Sequence, residues 1–157
     1  MPIRIFISHS VAPRELVLVN AMAEEAARRG VTPSIPDRDW VPNNRIPKRI
    51  RRQIEDSDYI IAIASERGHH SQWLNAEIIY NQRLSSPKPL LLVTDATIQV
   101  DPSYERIIIN YSNPLGTISE VSHRIQRLIQ DKNAQNLVAG VLIGGLTLLL
   151  LYSLKED

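Results

Sequence analysis

Tyr59-Ile60-Ile61-Ala62-Ile63-Ala64 is the stretch on which the fold turns. A strand with one wet face alternates apolar and polar residues, whereas this run is continuous, and it is too short for a buried helix. It therefore reads as a strand covered on both faces. Ile3 to Ile7, Pro89 to Val93 and Ile107 to Tyr111 read the same way. A weaker run, Val31 to Ile35, contains Pro33, which removes a ladder donor and marks a short or edge strand.

The intervals between these runs carry helical patterns. Arg14 to Arg29 is rich in Ala, Leu and Glu without internal Gly or Pro, and Gly30 follows where a C-terminal cap glycine belongs. Ile46, Ile50 and Ile54 stand at i, i+4 and i+8, with Pro47 tolerated in the first turn, so one stripe faces the sheet. Gln72 to Leu84 is helical in pattern, and Ile118 to Gln130 carries Ile118, Val121, Ile125, Leu128 and Ile129. The Asp37 to Pro47 segment, with Pro42, Asn43 and Asn44, reads as a mobile loop.

Strand and helix thus alternate throughout. The pattern predicts an α/β three-layer sandwich of flavodoxin-like type, a five-stranded parallel sheet in the order 2-1-3-4-5. In such sheets ligands bind outside the carboxyl ends of strands one and three. The segments expected there are Ser8-His9-Ser10, after strand one, and Ser65 onward, after strand three.

Beyond this head, residues 1–132, a tail of residues 133–157 is expected. Leu137 to Leu154, LVAGVLIGGLTLLLLYSL, has no charge, and its length just crosses a hydrocarbon layer. A buried core helix would show a polar face, and here only Thr147, Tyr152 and Ser153 interrupt the run. We read it as a single C-terminal transmembrane helix. Arg124, Arg127 and Lys132 before it, against Lys155 after it, point to a cytoplasmic head. The 157 residues balance 18 basic against 17 acidic side chains, so no field favours nucleic acid, and the lack of cysteine removes disulfide and thiolate chemistry.

Several chemistries are missing. Neither G-x-G-x-x-G nor G-x-x-x-x-G-K-[ST] occurs, which argues against dehydrogenases and phosphotransferases, and no G-x-S-x-G elbow is present. His9, His69, His70 and His123 lack metal-ligand spacing, so no metal is expected. His69 and His70 read as loop residues, and Lys48, Arg49, Arg51 and Arg52 as a basic face open to solvent, a partner or anionic lipid.

What remains is Ser71-Gln72-Trp73-Leu74-Asn75-Ala76-Glu77, opening the helix after strand three. Trp73 and Glu77, at i and i+4, share a face that can look into the crevice. The helix N-terminus nearby would favour an ionised carboxylate, and Glu77 is expected on an exposed cleft face. Spacing alone leaves a second reading open, in which Trp73 is a core anchor and Glu77 a solvated charge.

Four motifs in order resemble the TIR (Toll/interleukin-1 receptor-like) domains of bacterial antiphage defence. Ile5-Phe6-Ile7-Ser8-His9-Ser10 is similar to their opening strand and turn, and Asp37 to Pro47 to their mobile second loop. Tyr59 to Ser65 is similar to their third strand, and Ser71-x-Trp73-x-x-x-Glu77 to their catalytic helix. The resemblance implies cleavage of the nicotinamide–ribose bond of NAD, a substrate and not a cofactor, with Glu77 as the catalytic carboxylate. It also implies that Ser8 and His9 line the nicotinamide end, and that Asp37, Arg38 and Asp39 lie beside the nucleotide. Ser65 would border the ribose, Trp73 would pack against the cleft, and Ser71 is expected among the substrate-binding residues. Asp37 to Asp39 as a solvated loop, and Ser8 and Ser65 as turn or cap residues, are the alternatives.

Two functions follow as expectations. One is an NAD-cleaving enzyme of bacterial immunity, yielding ADP-ribose or a cyclic ADP-ribose-type signal, assembled through its heads and acting with a second defence protein. The other is a catalytically silent scaffold that gathers partners at the membrane. Gly140-x-x-x-Gly144 within the apolar run would let two tails approach closely.

Overall fold

In a computed structural model of the chain, which describes residues 3–42, 45–100, 102 and 105–130, five strands form one parallel sheet in the order β2-β1-β3-β4-β5. The strands are β1 (Arg4–Ser10), β2 (Thr32–Ser34), β3 (Tyr59–Ala64), β4 (Leu90–Thr94) and β5 (Arg106–Ile108). The helices are α1 (Leu16–Arg28), α2 (Lys48–Glu55), α3 (Ser71–Gln82) and α4 (Pro114–Gln130), with a 3-10 turn over Pro13–Glu15. This is the flavodoxin-like order expected from the alternation, with β2 at one edge.

The central strands are buried along their whole length, which is why β3 and β4 needed no polar alternation. Odd and even residues serve opposite layers. Ile5, Ile7, Ile61, Ile63, Leu91 and Val93 pack with Leu18, Val19 and Met22 of α1 and Ile118, Val121 and Ile125 of α4. Phe6, Ile60, Ala62, Leu90 and Leu92 pack with Ile50 and Ile54 of α2 and Leu74 and Ile78 of α3.

Several boundaries differ from those the patterns predict, each for a local reason. The segment after β1 opens as a 3-10 turn in which the Glu15 carboxylate accepts the Ala12 N–H at 2.8 Å, so α1 begins only at Leu16. Pro47, without an N–H to lose, stands just before α2 and not within its first turn, and Ile46 is buried ahead of the helix. α4 starts four residues before Ile118, with Pro114 at its first position, where fixed φ suits a helix start. β5 ends at Ile108 rather than Tyr111, although the Ile109 N–H still reaches the Thr94 carbonyl at 2.9 Å. Gly30 closes α1 at φ +81°, the left-handed backbone that its sequence position calls for.

Among the described residues no helix is long and apolar enough to cross a membrane, and the Leu137 to Leu154 run lies outside them. So do the side chains of Leu128 and Ile129, and Asn43 and Asn44 of the second loop.

All five strands and both helical layers precede residue 131. A chain truncated after Lys132 is therefore expected to be monodisperse and to unfold in one cooperative transition. Aggregation, or a broad transition by circular dichroism, would mean that the tail completes the core.

Candidate functional site

β1 and β3 adjoin at the point where the chain turns from one half of the sheet to the other, with Ser8 opposite Ala62 and Ser10 opposite Ala64. Their carboxyl ends open the crevice in which ligands are expected. β1 runs through Ser10, so Ser8-His9-Ser10, expected after the strand, are its last three residues. Ladder pairing to β3 holds them rigidly and buries Ser8 completely.

The loop from β3 to α3 is bound tightly to β1. The Ser65 N–H donates to the Ser10 carbonyl at 3.0 Å and the His69 N–H to the Val11 carbonyl at 3.1 Å. A Cβ at Gly68 would sit 2.1 Å from the Ser10 carbonyl oxygen, so only glycine allows this approach. His70 then takes a left-handed φ of 67° immediately ahead of α3. Its ring stands edge-on to Trp73 at 4.9 Å, a structural contact absent from its reading as an ordinary loop residue.

α3 turns Glu77 inward. Its buried residues Leu74, Glu77, Ile78 and Asn81 follow the i, i+3, i+4, i+7 rule, so the carboxylate occupies an apolar-stripe position facing β1. Glu77 is 1% exposed, which corrects the expectation of an exposed cleft face. The sequence signal for this was the stripe itself, which the Trp73/Glu77 spacing had obscured.

Both carboxylate oxygens of Glu77 are taken. The Ser8 hydroxyl donates to Oε1 at 2.6 Å, and Arg38 Nη1 lies 2.5 Å from Oε2. The Arg38 side chain is itself only 9% exposed, and its Nη2 donates to the His9 carbonyl at 2.9 Å. Burial pushes the Glu77 carboxyl above its ordinary value, while the charge and hydrogen bond of Arg38 and the Ser8 hydroxyl pull the other way. Glu77 stands in the second turn of α3, beyond the reach of the helix N-terminus, so burial and Arg38 govern it in place of the expected dipole effect.

The described part of the second loop is tied down rather than free. Asp37 binds Arg49 of α2 through both oxygens, at 2.7 and 2.9 Å, which holds its carboxyl down at about 2. The Trp40 indole donates to the Asp37 carbonyl at 2.9 Å, and the Trp73 indole to the Trp40 carbonyl at 2.6 Å. The two tryptophan rings meet edge-to-face with centroids 6.3 Å apart. Arg49 thus has a structural partner, whereas it was read as part of a solvated basic face.

The expected site residues divide accordingly. Ser8, Arg38 and Glu77 are in direct contact, the His9 backbone joins them, and Trp73 borders them through Trp40. Asp37 and Asp39 are exposed and make no hydrogen bond to Glu77, although the charge of Asp37 helps raise its pKa, and the Asp39 N–H donates to Asp37 Oδ1 at 3.1 Å. Ser65 turns its hydroxyl to Glu15, on the α1 side, at 2.8 Å. Ser71 is the first residue of α3 and half-buried. No spacing rule could have joined Arg38 to Glu77, which stand 39 residues apart.

A separate cavity of about 870 Å³ lies on the α1 and α4 side, at the same sheet edge, lined by Glu15, Leu18, Asp95, Tyr111 and Ile118 among others. Glu77 does not line it. Among the described residues no group of three or more His, Asp or Glu is arranged to hold a metal ion.

A family model described as TIR domain matches residues 5–129. The chain belongs to the TIR domain family. The match takes in all five strands but the first residue of β1 and all four helices but the last residue of α4, so the likeness of the four motifs extends over the TIR fold. No curated protein matches the chain. Within this TIR domain, the strand pairing and the α3 stripe bring Ser8 to Glu77, and the second loop supplies Arg38.

His9 provides a pH handle. It is 4% exposed and its Nδ1 has no partner, and burial, then the charges of Arg38 and His70, lower its pKa from 6.5 to about 4. The unfolded chain binds this proton below pH 6.5 and the folded one only below about 4, so stability falls as pH drops through that window. The full loss attributable to His9 is on the order of 3 kcal/mol. Chemical denaturation at pH 7 and pH 4.5 checks this: His9→Gln should show a much smaller drop than the native chain, and an equal drop would refute it.

Proposed function

We propose that this TIR domain cleaves NAD at the nicotinamide–ribose bond, with Glu77 as the carboxylate that meets the cationic sugar. The observation that carries the reading is the setting of Glu77, a buried carboxylate paired with a cation at the crevice of a TIR fold. In a water-poor site a fixed negative charge stabilises developing positive charge far better than in solvent.

The chemistry needs one acid residue only. As the C–N bond breaks, its electron pair passes to the ring nitrogen, so nicotinamide leaves neutral and no general acid is required, unlike two-carboxylate glycoside hydrolysis. Water then captures the ribosyl cation and releases a proton, giving ADP-ribose. Capture by a nitrogen of the same molecule's adenine would give a cyclic product instead. Ser8 would fix the carboxylate's orientation, and Trp73 with Trp40 would wall the cleft.

A silent scaffold is the second reading, and one observation favours it. Both oxygens of Glu77 are occupied and the side chain is 1% exposed, as in a purely structural ion pair. The exposed Val17, Ile108, Tyr111 and Leu115 beside the α1 and α4 cavity would suit a docking role.

Glu77→Gln should lower nicotinamide release at least ~100-fold, the scale of losing a preorganised charge in a transition state. It should also reduce stability, because Arg38 is left buried without an anion. Since the reaction needs the ionised form and burial raises the Glu77 pKa, kcat/KM should fall with acidification at a pH above the usual carboxylate range. Full activity in a folded Glu77→Gln protein would refute Glu77 as the carboxylate, and no nicotinamide release from the native chain at high concentration would leave the scaffold.

We further propose a role in bacterial antiphage immunity, alongside a second defence protein. Leu137 to Leu154 would anchor the head on the cytoplasmic side of a membrane and raise its local concentration, so that weak contacts between heads become effectively intramolecular. NAD cleavage per molecule should then be higher for the full chain in liposomes than for the dilute head ending at Lys132. Equal rates would show that neither anchoring nor assembly matters.

A further inference from the structure

Glu77 is only 1% exposed, with Ser8 and Arg38 covering its two oxygens, so a ligand reaches it only when one of them moves. Ser8 is fully buried within β1, and ladder pairing to β3 fixes its backbone in place. Arg38 lies in the loop between β2 and α2, beside exposed Asp37 and Asp39. Its guanidinium is incompletely satisfied: two contacts hold it, to Glu77 and to the His9 carbonyl, and its buried Nε has no partner. Arg38 is therefore the partner that yields.

Displacing it alone would strand a buried charge. The buried carboxylate would lose its cation, and of the two loop carboxylates flanking Arg38, Asp37 is already held on both oxygens by Arg49. A ligand that brings a cation for Glu77 removes this penalty, and one that also brings an anion gives Arg38 a new partner. The fork of arginine matches phosphate oxygens in paired hydrogen bonds.

We infer that the Arg38–Glu77 pair is a charge lock that opens to ligands carrying a cationic ring and a phosphate together, Arg38 leaving the carboxylate to hold the phosphate as the ring cation takes its place. This rests on the NAD-cleaving reading for the ligand class. It adds that Arg38 has two successive partners, and that it excludes a cationic nucleoside lacking phosphate.

Nicotinamide riboside and nicotinamide mononucleotide differ by one phosphate and test the lock directly. Their affinities are read in rapid-mixing experiments from the fluorescence of Trp40 and Trp73, the only two tryptophans, which sit beside Arg38 and Glu77. In the full-length native chain the mononucleotide should bind at least ~10-fold tighter than the riboside, the scale of one charge-assisted contact. In Arg38→Gln the riboside should tighten, having no cation to displace, and the ratio should fall to within about 3-fold. Arg38→Lys, which keeps the charge but loses the fork, should give an intermediate ratio, and carries the test if Arg38→Gln does not fold. An unchanged ratio, a riboside affinity indifferent to Arg38, or no binding of either ligand to any form would overturn the lock. Nicotinamide release from NAD, followed on the same samples, separates the two claims. The binding pattern without release would refute the hydrolase and leave the lock, and release with an unchanged ratio would do the reverse.

Discussion

A carboxylate placed in the apolar stripe of α3 must be neutralised, because an unpaired charge in that position costs several kcal/mol. The rest of the crevice is organised around meeting that demand. β1 ends in a serine whose hydroxyl reaches Oε1, and the second loop folds inward far enough to deliver Arg38 to Oε2. The loop's course is then held by contacts that do not touch Glu77: Arg49 on Asp37, the Trp40 indole on the Asp37 carbonyl, and the Trp73 indole on the Trp40 carbonyl. One buried charge thereby connects three segments distant in sequence, and a motion of the loop alters the environment of Glu77 directly.

The sheet holds its half of the site through strand pairing, the loop through side-chain contacts alone. Ser8 lies inside a ladder with β3 and cannot be displaced without breaking strand pairing, while Arg38 belongs to irregular chain. Functional groups mounted on a fixed scaffold and completed by a loop suit a site that must be exact in one half and adaptable in the other. Gly68 and the left-handed His70 serve the same end, since they let the loop after β3 turn tightly over the β1 edge before α3 begins.

The two faces of the sheet differ in character at this edge. On the α3 side the polar groups are buried and paired around Glu77. On the α1 and α4 side there is an open cavity of about 870 Å³ in which Glu15 and Asp95 flank the Tyr111 hydroxyl, and Ser65 points there rather than toward Glu77. The roominess of a cavity is thus no guide to where the buried carboxylate sits.

Continuous apolar runs, helix stop signals and the alternation of strand and helix were enough to determine the parallel sheet, its order and its edge strand, because burial on both faces leaves a direct imprint on local composition. The W-x-x-x-E spacing likewise singled out Glu77. Its burial was half legible: Leu74, Ile78 and Asn81 place it in the stripe, but a helical pattern does not say what covers a face. The partners of Glu77 were beyond sequence reasoning, because Ser8 and Arg38 approach it across 69 and 39 residues through strand order and loop course, which no local periodicity encodes. The same reason separates Arg38 from its neighbours Asp37 and Asp39. All three are polar loop residues in the sequence, and only the tertiary structure, by burying one guanidinium against a charge that needed it, decides which of them belongs to the site.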